Sequence, residues 1–347
     1  MVRFRAGVVL IVLSLLLVAC GGGTTESAEP AESDSAPAES EGAPATSEEP
    51  AKSGTARLGR GSLSVAFVPT EMTVERMNEM GYDIQVTEFP STSTEIQAAT
   101  EGAIDIASAS AAATMTAIDA GLTNKFFMAR YINEFVLVAK ADYPSCESLD
   151  GRNVAIHAQT DITGLLTLSW FEANCPDTEP AIQIIDGSEN RLAALLQDQL
   201  DASPLDLQSW QQLEAERPGE FQIIANFVED FPVVAGVYSA PPDFLAENEE
   251  LIKDFIRTHL EVWDEIYADP QILVDESIAR LPEVDPELIP GIVETYLELG
   301  ILPQGGDLQE EPVQFTIDFF SEAAGFTNVG DFADVVDRTY LDEVLAE

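Results

Sequence analysis

From Leu63 onward, short apolar runs alternate with segments whose apolar residues have a helical spacing. The runs that predict strands are 63–68, 82–89, 104–107, 125–129, 135–139, 153–156, 182–185, 222–225 and 233–238. Predicted helices begin at the Ser/Thr cluster 91–94 and continue with 109–120, 162–174 and 189–199. This alternation predicts an α/β fold with mostly parallel strands. After Pro241 and Pro242 the pattern is helical to the end of the chain, which predicts a helical cover over the sheets.

The first twenty residues have the pattern of an export signal. Arg3 and Arg5 precede an apolar run at 8–17, which is shorter than the roughly 20 residues that a membrane-spanning helix needs. The run leads to Leu17-Val18-Ala19-Cys20, an ending that resembles the lipobox of bacterial lipoproteins. The resemblance implies a signal peptide over 1–20 and a mature chain anchored to the cell membrane, on its extracytoplasmic side, by lipid on Cys20. An ordinary secretion signal with an unrelated cysteine is the alternative.

The segment that follows Cys20 has the composition of a linker. Residues 21 to about 54 are mainly Gly, Ser, Thr, Ala, Pro and Glu, without an aromatic or branched aliphatic side chain. Such a segment buries too little apolar surface to offset the entropy lost on ordering. We therefore expect a disordered acidic linker over 21–61.

The charge balance excludes some partners. The chain has 62 Asp and Glu residues against 16 Lys and Arg residues, a formal net charge of −46. Nucleic acids and anionic membrane surfaces both require clustered cations, so neither is an expected partner. Anionic ligands also meet few cations, and Arg76, Arg130 and Arg191 are the arginines that fall near candidate binding loops. Each of these three could instead belong to a surface ion pair.

Two cysteines remain once Cys20 is assigned to the lipid anchor. Cys146 and Cys175 both lie in polar segments that are typical of turns. Outside the cytoplasm such a pair can form a disulfide, and two separate thiols are the alternative.

Two segments about a hundred residues apart have similar sequences. Residues 101–105 (Glu-Gly-Ala-Ile-Asp) and 198–202 (Asp-Gln-Leu-Asp-Ala) each end a predicted helix and lead into a strand, and between them 148–156 form a turn and a buried strand. These three motifs resemble the solute-binding proteins of ABC importers in the nitrate, taurine and thiamine-pyrimidine group. The resemblance covers about 63–267, and the chain is most similar to the riboflavin-binding lipoproteins of flavin importers.

The resemblance implies a two-lobed, type II periplasmic-binding-protein-like fold. Lobe 1 would comprise 62–138 and 234–347, including the helical cover, and lobe 2 would comprise 139–233. The ligand would bind in the cleft between the lobes and pass to the permease and ATPase subunits of an importer. Riboflavin is the expected ligand, and the alternatives are a thiamine pyrimidine precursor or an anion such as nitrate or a sulfonate.

Loops after strands, helix starts and the two predicted crossings supply the candidate ligand-binding residues. They are Phe67, Thr70, Phe89, Ser91, Thr92, Ser108, Tyr131, Asn133, Thr160, Asp161, Thr163, Asp206, Trp210 and Tyr238. As a set they offer hydroxyls, amides and aromatic rings, which suit a flat heteroaromatic ligand.

Signals for catalysis are weak in this sequence. The chain has two histidines, of which His157 follows a predicted strand beside the cleft and His259 falls within a long helix. Metal-binding and nucleophile motifs are lacking, so we expect neither a metal nor a cofactor. An enzyme built on the same fold remains as an alternative function.

Overall fold

The computed structural model describes residues 52–306 and 308–347. The predicted signal peptide, the predicted lipidation site Cys20 and most of the predicted linker lie outside these residues. Within the described residues the strands are β1 (Thr55–Arg60), β2 (Asp83–Glu88), β3 (Ile106–Ser110), β4 (Lys125–Ile132), β5 (Phe135–Lys140), β6 (Asn153–Ile156), β7 (Ala181–Ile184), β8 (Ala202–Asp206), β9 (Phe221–Ala225) and β10 (Val234–Ala240).

The helices lie between these strands and over the last third of the chain. They are α1 (Val68–Met80), α2 (Thr92–Thr100), α3 (Ala111–Asp119), α4 (Ile162–Asn174), α5 (Ser188–Leu196), α6 (Leu207–Glu216), α7 (Phe227–Asp230), α8 (Pro242–Glu247), α9 (Glu249–Ala268), α10 (Gln271–Arg280), α11 (Ile289–Glu298), α12 (Glu310–Ala324), α13 (Phe332–Val335) and α14 (Thr339–Leu345). Single 3-10 turns occur at Val65–Phe67 and Cys146–Leu149. None of the helices in the described part of the chain is long and apolar enough to span a membrane.

The strands form two sheets of five strands with the same internal arrangement. The order is β2-β1-β3-β10-β4 in the first sheet and β7-β6-β8-β5-β9 in the second. In each sheet, the three strands that come first in this order are parallel, and the fourth pairs antiparallel to both of its neighbours. The fourth strand is β10 in the first sheet and β5 in the second. In each case the chain reaches this strand from the other lobe, directly after a crossing.

Two adjacent chain segments connect the lobes. The first crossing, at Asn133 and Glu134, joins β4 to β5, and the second runs from β9 through α7 to β10. The Asn133 side chain donates hydrogen bonds to the carbonyl oxygens of Phe227 (2.6 Å) and Phe231 (3.0 Å). The backbone N–H of Asn133 donates to Val233 O at 3.1 Å. Asn133 therefore ties the two crossings together in one hinge.

Several of the C-terminal helices pack against the first lobe. Helix α9 packs on α1 and carries the buried residues Phe255, His259 and Trp263. The rings of Phe255 and His259 contact the buried Tyr238 ring of β10, with centroids 5.1 and 5.3 Å away. These aromatic contacts make α9 part of the lobe 1 core rather than a separate layer.

Two predicted boundaries at the start of the ordered chain are corrected by the structure. Residues 63–68 do not form a strand, because Pro69 lies in the first turn of α1 and the preceding residues form the 3-10 turn. The first strand is β1, which falls inside the predicted linker 21–61. Its sequence Thr-Ala-Arg-Leu-Gly-Arg has one large apolar side chain, and pairing with β2 and β3 is what orders it.

The boundary between the lobes also differs from its predicted position. Strand β5 was expected to begin near the end of lobe 1, which was placed at 138, but β5 pairs with β8 and β9 of the second sheet from Phe135 onward. The first crossing therefore precedes the predicted boundary. The second crossing ends at Val234, where β10 begins, in agreement with the predicted start of the returning segment.

A disulfide joins Cys146 to Cys175 in lobe 2, with the Cα atoms 6.2 Å apart. Cys146 begins the 3-10 turn after β5, and Cys175 follows the last residue of α4. Both cysteines are buried, so the bond connects the turn to the end of a core helix.

Candidate functional site

A cleft of about 770 Å³ lies between the two lobes. Its walls are the segments at the carboxyl ends of β1, β2 and β3 in lobe 1 and of β6, β7 and β8 in lobe 2. Open α/β sheets place ligands at this edge, because the loops and helix N-termini that follow the strands converge there. The cleft is therefore the candidate ligand site.

Arg130, on β4, is the most unusual side chain of the cleft. It is 3% exposed, and its guanidinium carbon lies 3.6 Å from the centroid of the Phe67 ring and 4.2 Å from that of Tyr131. Its Nε and Nη1 atoms have no hydrogen-bond partner among the described residues. A buried cation with free donors is costly unless another group pairs with it. Arg130 is therefore a buried cation in the cleft wall that no described residue pairs with.

The position of the Tyr131 ring depends on a glycine in the neighbouring strand. Gly236 of β10 lies opposite Tyr131 in the register of β10 and β4. A Cβ atom at Gly236 would overlap the Cδ1 and Cε1 atoms of that ring. The absence of a side chain at Gly236 thus allows Tyr131 to pack beside Arg130.

The other arginines of the cleft are already paired. Arg60 donates to Glu71 (2.5 Å) and Glu88 (2.7 Å). Arg191 donates to two backbone carbonyl oxygens and to the Ser188 hydroxyl, and burial lowers its pKa to about 10. Arg280 lies between Glu75 and Glu276. Among the described residues that line the cleft, Arg130 is thus the arginine without an internal partner.

Two buried glutamates face the same cleft. Glu95, which is 1% exposed, accepts a hydrogen bond from Ser108 N at 2.8 Å. Burial raises the pKa of Glu95 to about 7, against the lowering effect of that hydrogen bond and of Arg130 and Arg60. Burial, together with the charge of Asp206, raises the pKa of Glu134 to about 8. Near neutral pH these groups can therefore act as hydrogen-bond acceptors or, when protonated, as donors.

His157 presents a donor from lobe 2. The backbone N–H of Gly187 donates to His157 Nδ1 at 3.1 Å, so the proton of the neutral ring is on Nε2. His157 Nε2 has no hydrogen-bond partner and lies 3.5 Å from Asp161 Oδ2. The Ser108 hydroxyl of lobe 1 is also buried without a partner. Each lobe thus contributes to the cleft lining a residue with an unsatisfied polar atom.

Most of the residues predicted from the sequence line the cleft. Those that do are Phe67, Phe89, Ser91, Thr92, Ser108, Tyr131, Asp161, Thr163 and Asp206. Tyr131 and Ser108 lie within β4 and β3, whereas Ser91, Asp161 and Asp206 are the N-caps of α2, α4 and α6. Their local role as helix caps places their side chains at the cleft.

Five of the predicted ligand-binding residues lie outside the cleft lining. Thr70 and Tyr238 are buried in the lobe 1 core and hydrogen-bond to each other at 2.6 Å. Asn133 is occupied at the hinge, and Trp210 packs against the core of lobe 2 from the other side of α6. Thr160 contacts lobe 1 through its backbone carbonyl, which accepts from Thr116 Oγ1 at 3.1 Å.

The sequence reasoning missed several residues that line the cleft. Glu95 and Glu134 were not considered, although a glutamate on the apolar side of α2 is an available signal for Glu95. Arg130 was named but not chosen, and its place within the apolar strand β4 is the signal that separates it from a surface arginine. Arg76, by contrast, forms an exposed ion pair with Glu265. Within the described residues, no cluster of three or more His, Cys, Asp or Glu side chains could hold a metal ion.

The sequence matches one family model and no curated protein. The family is described as NMT1/THI5 like, and the match covers residues 78–272, more than half of the chain. No curated protein matches the chain in sequence.

Three solved structures show the same fold. The ligand-binding component of an ABC-type import system from Staphylococcus aureus, with zinc bound, is 13% identical and superposes with a TM-score of 0.67 over 84% of this chain and 98% of that one. The alkanesulfonate-binding protein SsuA from Xanthomonas axonopodis, bound to MOPS, is 16% identical, with a TM-score of 0.65 over 84% and 99%. The nitrate-binding protein NrtA from Synechocystis is 13% identical, with a TM-score of 0.64 over 84% and 88%. These matches confirm the predicted two-lobed α/β fold of type II periplasmic binding proteins.

Proposed function

The chain belongs to the NMT1/THI5-like family, and we propose that it is the solute-binding lipoprotein of an ABC importer. The solute is a planar heteroaromatic compound with carbonyl groups on its edge, and riboflavin is the first compound to test. The protein binds this solute in the cleft without converting it and delivers it to permease and ATPase subunits.

The observation that carries the proposal is the environment of Arg130. Its guanidinium is packed between two aromatic rings while Nε and Nη1 remain unpaired. A carbonyl oxygen on the edge of a heteroaromatic solute would accept a hydrogen bond from this guanidinium, and the ring system of the solute can pack against the aromatic side chains Phe67 and Phe89 of the cleft wall.

The carboxyl groups of the cleft support a neutral ligand rather than an anion. Glu95, Glu134, Asp161 and Asp206 all line the cleft. Their oxygen atoms suit the N–H groups of a heteroaromatic ring, and like-charge repulsion from Asp161 and Asp206 disfavours an oxoanion beside them. A thiamine pyrimidine precursor shares this chemistry and is the next heteroaromatic candidate.

A second candidate is an oxoanion such as nitrate or a sulfonate. The unpaired cation Arg130 favours it, and two of the matched structures are of a sulfonate-binding and a nitrate-binding protein. Its binding would be strengthened at low ionic strength, whereas binding of a neutral solute would change little with salt.

The N-terminal sequence supports an extracytoplasmic location for the binding domain. Export through the signal peptide and lipid on Cys20 would hold the binding domain outside the cell membrane, within reach of the permease. The acidic linker would provide the length of chain between the lipid anchor and the binding domain.

The test is a titration of riboflavin with the mature chain that lacks the signal peptide and the lipid. Stacking on an aromatic side chain should quench flavin fluorescence with saturable one-to-one stoichiometry. The variant Phe67→Ala should weaken binding about ten-fold, because it removes one face of the Arg130 packing and a wall of the cleft. Trp210→Ala is the matched control, since Trp210 is an aromatic residue outside the cleft lining. Absence of quenching at micromolar protein, together with salt-sensitive binding of nitrate or a sulfonate, would replace the proposal by the second candidate.

A further inference from the structure

The N-cap residues of two helices from opposite lobes, Ser110 of α3 and Asp161 of α4, are hydrogen-bonded to each other. Asp161 of lobe 2 caps α4, where its Oδ1 accepts from the backbone N–H of Ile162 at 2.6 Å. The same Oδ1 accepts from the hydroxyl of Ser110, the N-cap of α3 in lobe 1, at 2.5 Å. Asp161 is 6% exposed, so this contact between the lobes is shielded from solvent.

The groups around Asp161 are those that bind anions. The N-terminus of a helix carries partial positive charge and free N–H donors, and α3 and α4 here have nine and thirteen residues. His157 Nε2, a donor in the neutral ring, faces the second carboxylate oxygen at 3.5 Å. Independently of the helix ends, the buried and unpartnered guanidinium of Arg130 lines the same cleft.

We infer that Asp161 is a specificity-determining residue. Its carboxylate occupies the position between the two lobes where the helix N-termini would bind an anion, and its charge thereby selects against anionic ligands. A ligand oxoanion would meet the Asp161 charge at the point where the helix N-termini converge. Arg130 is then left to the acceptor groups of an uncharged solute. The inference rests on the proposed function in that it takes the cleft to be the solute site.

Other carboxylates of the cleft do not share this position. Asp206 caps α6 and accepts from Ser209 N at 2.7 Å and from Ser209 Oγ at 3.2 Å, both within lobe 2. It is therefore a matched control, being a cleft-lining N-cap carboxylate without a hydrogen bond to the other lobe.

The experiment measures sulfate binding by calorimetry at constant ionic strength in the mature chain and its variants. Asp161→Asn removes the charge and keeps an N-cap oxygen, and Asp161→Ser is a second capping variant for the case in which the first does not fold. Each should bind sulfate at least about ten-fold more tightly than the parent chain, because one like charge is removed. Asp206→Asn also removes one charge from the cleft but no hydrogen bond between the lobes, so its gain in sulfate affinity should be clearly smaller than that of either Asp161 variant.

Two results would overturn the inference. One is equal sulfate affinity in the parent chain and both Asp161 variants, and the other is an equal gain from Asp206→Asn. Riboflavin titrations of the same proteins separate this inference from the proposed function. If riboflavin does not bind but sulfate affinity rises more in the Asp161 variants than in Asp206→Asn, the proposed solute fails alone. If riboflavin binds and the Asp161 variants gain nothing for sulfate, the selectivity role of Asp161 fails alone.

Discussion

The Tyr131 ring on β4 occupies the space into which a side chain at Gly236 on β10 would project. This relationship between two paired strands of lobe 1 determines where the ring lies. Because the guanidinium of Arg130 packs on that ring, the shape of the cleft depends on a residue that does not line it.

Substitution of Gly236 should therefore impair binding more than it impairs the sheet. In Gly236→Ala the new methyl group displaces the Tyr131 ring, and we expect at least about a ten-fold loss of solute affinity with a cost of 1–3 kcal/mol in stability. Gly291→Ala is the control, because its Cβ meets only ordinary contact distances. Titration and urea unfolding of both variants test this, and unchanged affinity in Gly236→Ala would refute the role of the ring position.

Removal of the Arg130 charge should have opposite effects on binding and stability. Arg130→Met keeps an unbranched side chain but removes an unpaired buried cation, so we expect stability to rise by about 1–2 kcal/mol while solute affinity falls at least about ten-fold. Arg130→Lys should also lose affinity, because an ammonium cannot supply the planar pair of donors. In the control Arg76→Met, loss of an exposed ion pair should change stability by no more than about 1 kcal/mol. Tight binding by Arg130→Met would contradict the proposed site.

The buried carboxyl of Glu95 should make stability depend on pH. Its pKa is about 7 in the folded chain and near 4.5 in the unfolded chain. The folded state thus holds the proton more tightly, and this tighter binding stabilises it. The stabilisation is complete below about pH 4.5 and is lost as the pH rises through 7. The free energy of unfolding of Glu95→Gln minus that of the parent chain should therefore be about 2 kcal/mol greater at pH 8 than at pH 5.

Urea unfolding at the two pH values measures this difference. Glu172→Gln, which removes one exposed negative charge, controls for the change in net charge. If the stability difference between Glu95→Gln and the parent chain is the same at pH 5 and pH 8, Glu95 does not titrate as its burial indicates.

The disulfide between Cys146 and Cys175 should stabilise lobe 2. It closes a loop with a sequence separation of 29 residues, for which loop entropy in the unfolded chain predicts about 3.6 kcal/mol. The double variant Cys146→Ser, Cys175→Ser should unfold at correspondingly lower urea concentration. A reducing agent should lower the stability of the parent chain and leave the double variant unchanged, and equal stability of all samples would show that the bond contributes nothing.

Local patterns in the sequence were sufficient for most elements of secondary structure. The predicted strand 153–156 and helix 162–174 agree with β6 and α4. Strand β1 was missed, because its burial comes from parallel pairing on both sides rather than from apolar side chains of its own. Residues 63–68 were misassigned because an apolar run is compatible with a strand or with the start of a helix, and Pro69 favours the helix.

The sequence by itself determined the alternation of strands and helices, which depends on periodicity and turn residues along the chain. Its motifs also resemble those of a family with a two-lobed fold, and that resemblance implied the two lobes. Only the tertiary structure decided which polar groups are left unpaired. Arg130 lies between rings from two segments of lobe 1, and Asp161 meets Ser110 from the opposite lobe. Such contacts join residues far apart in the chain, and their energies depend on burial and distance, which no local pattern records.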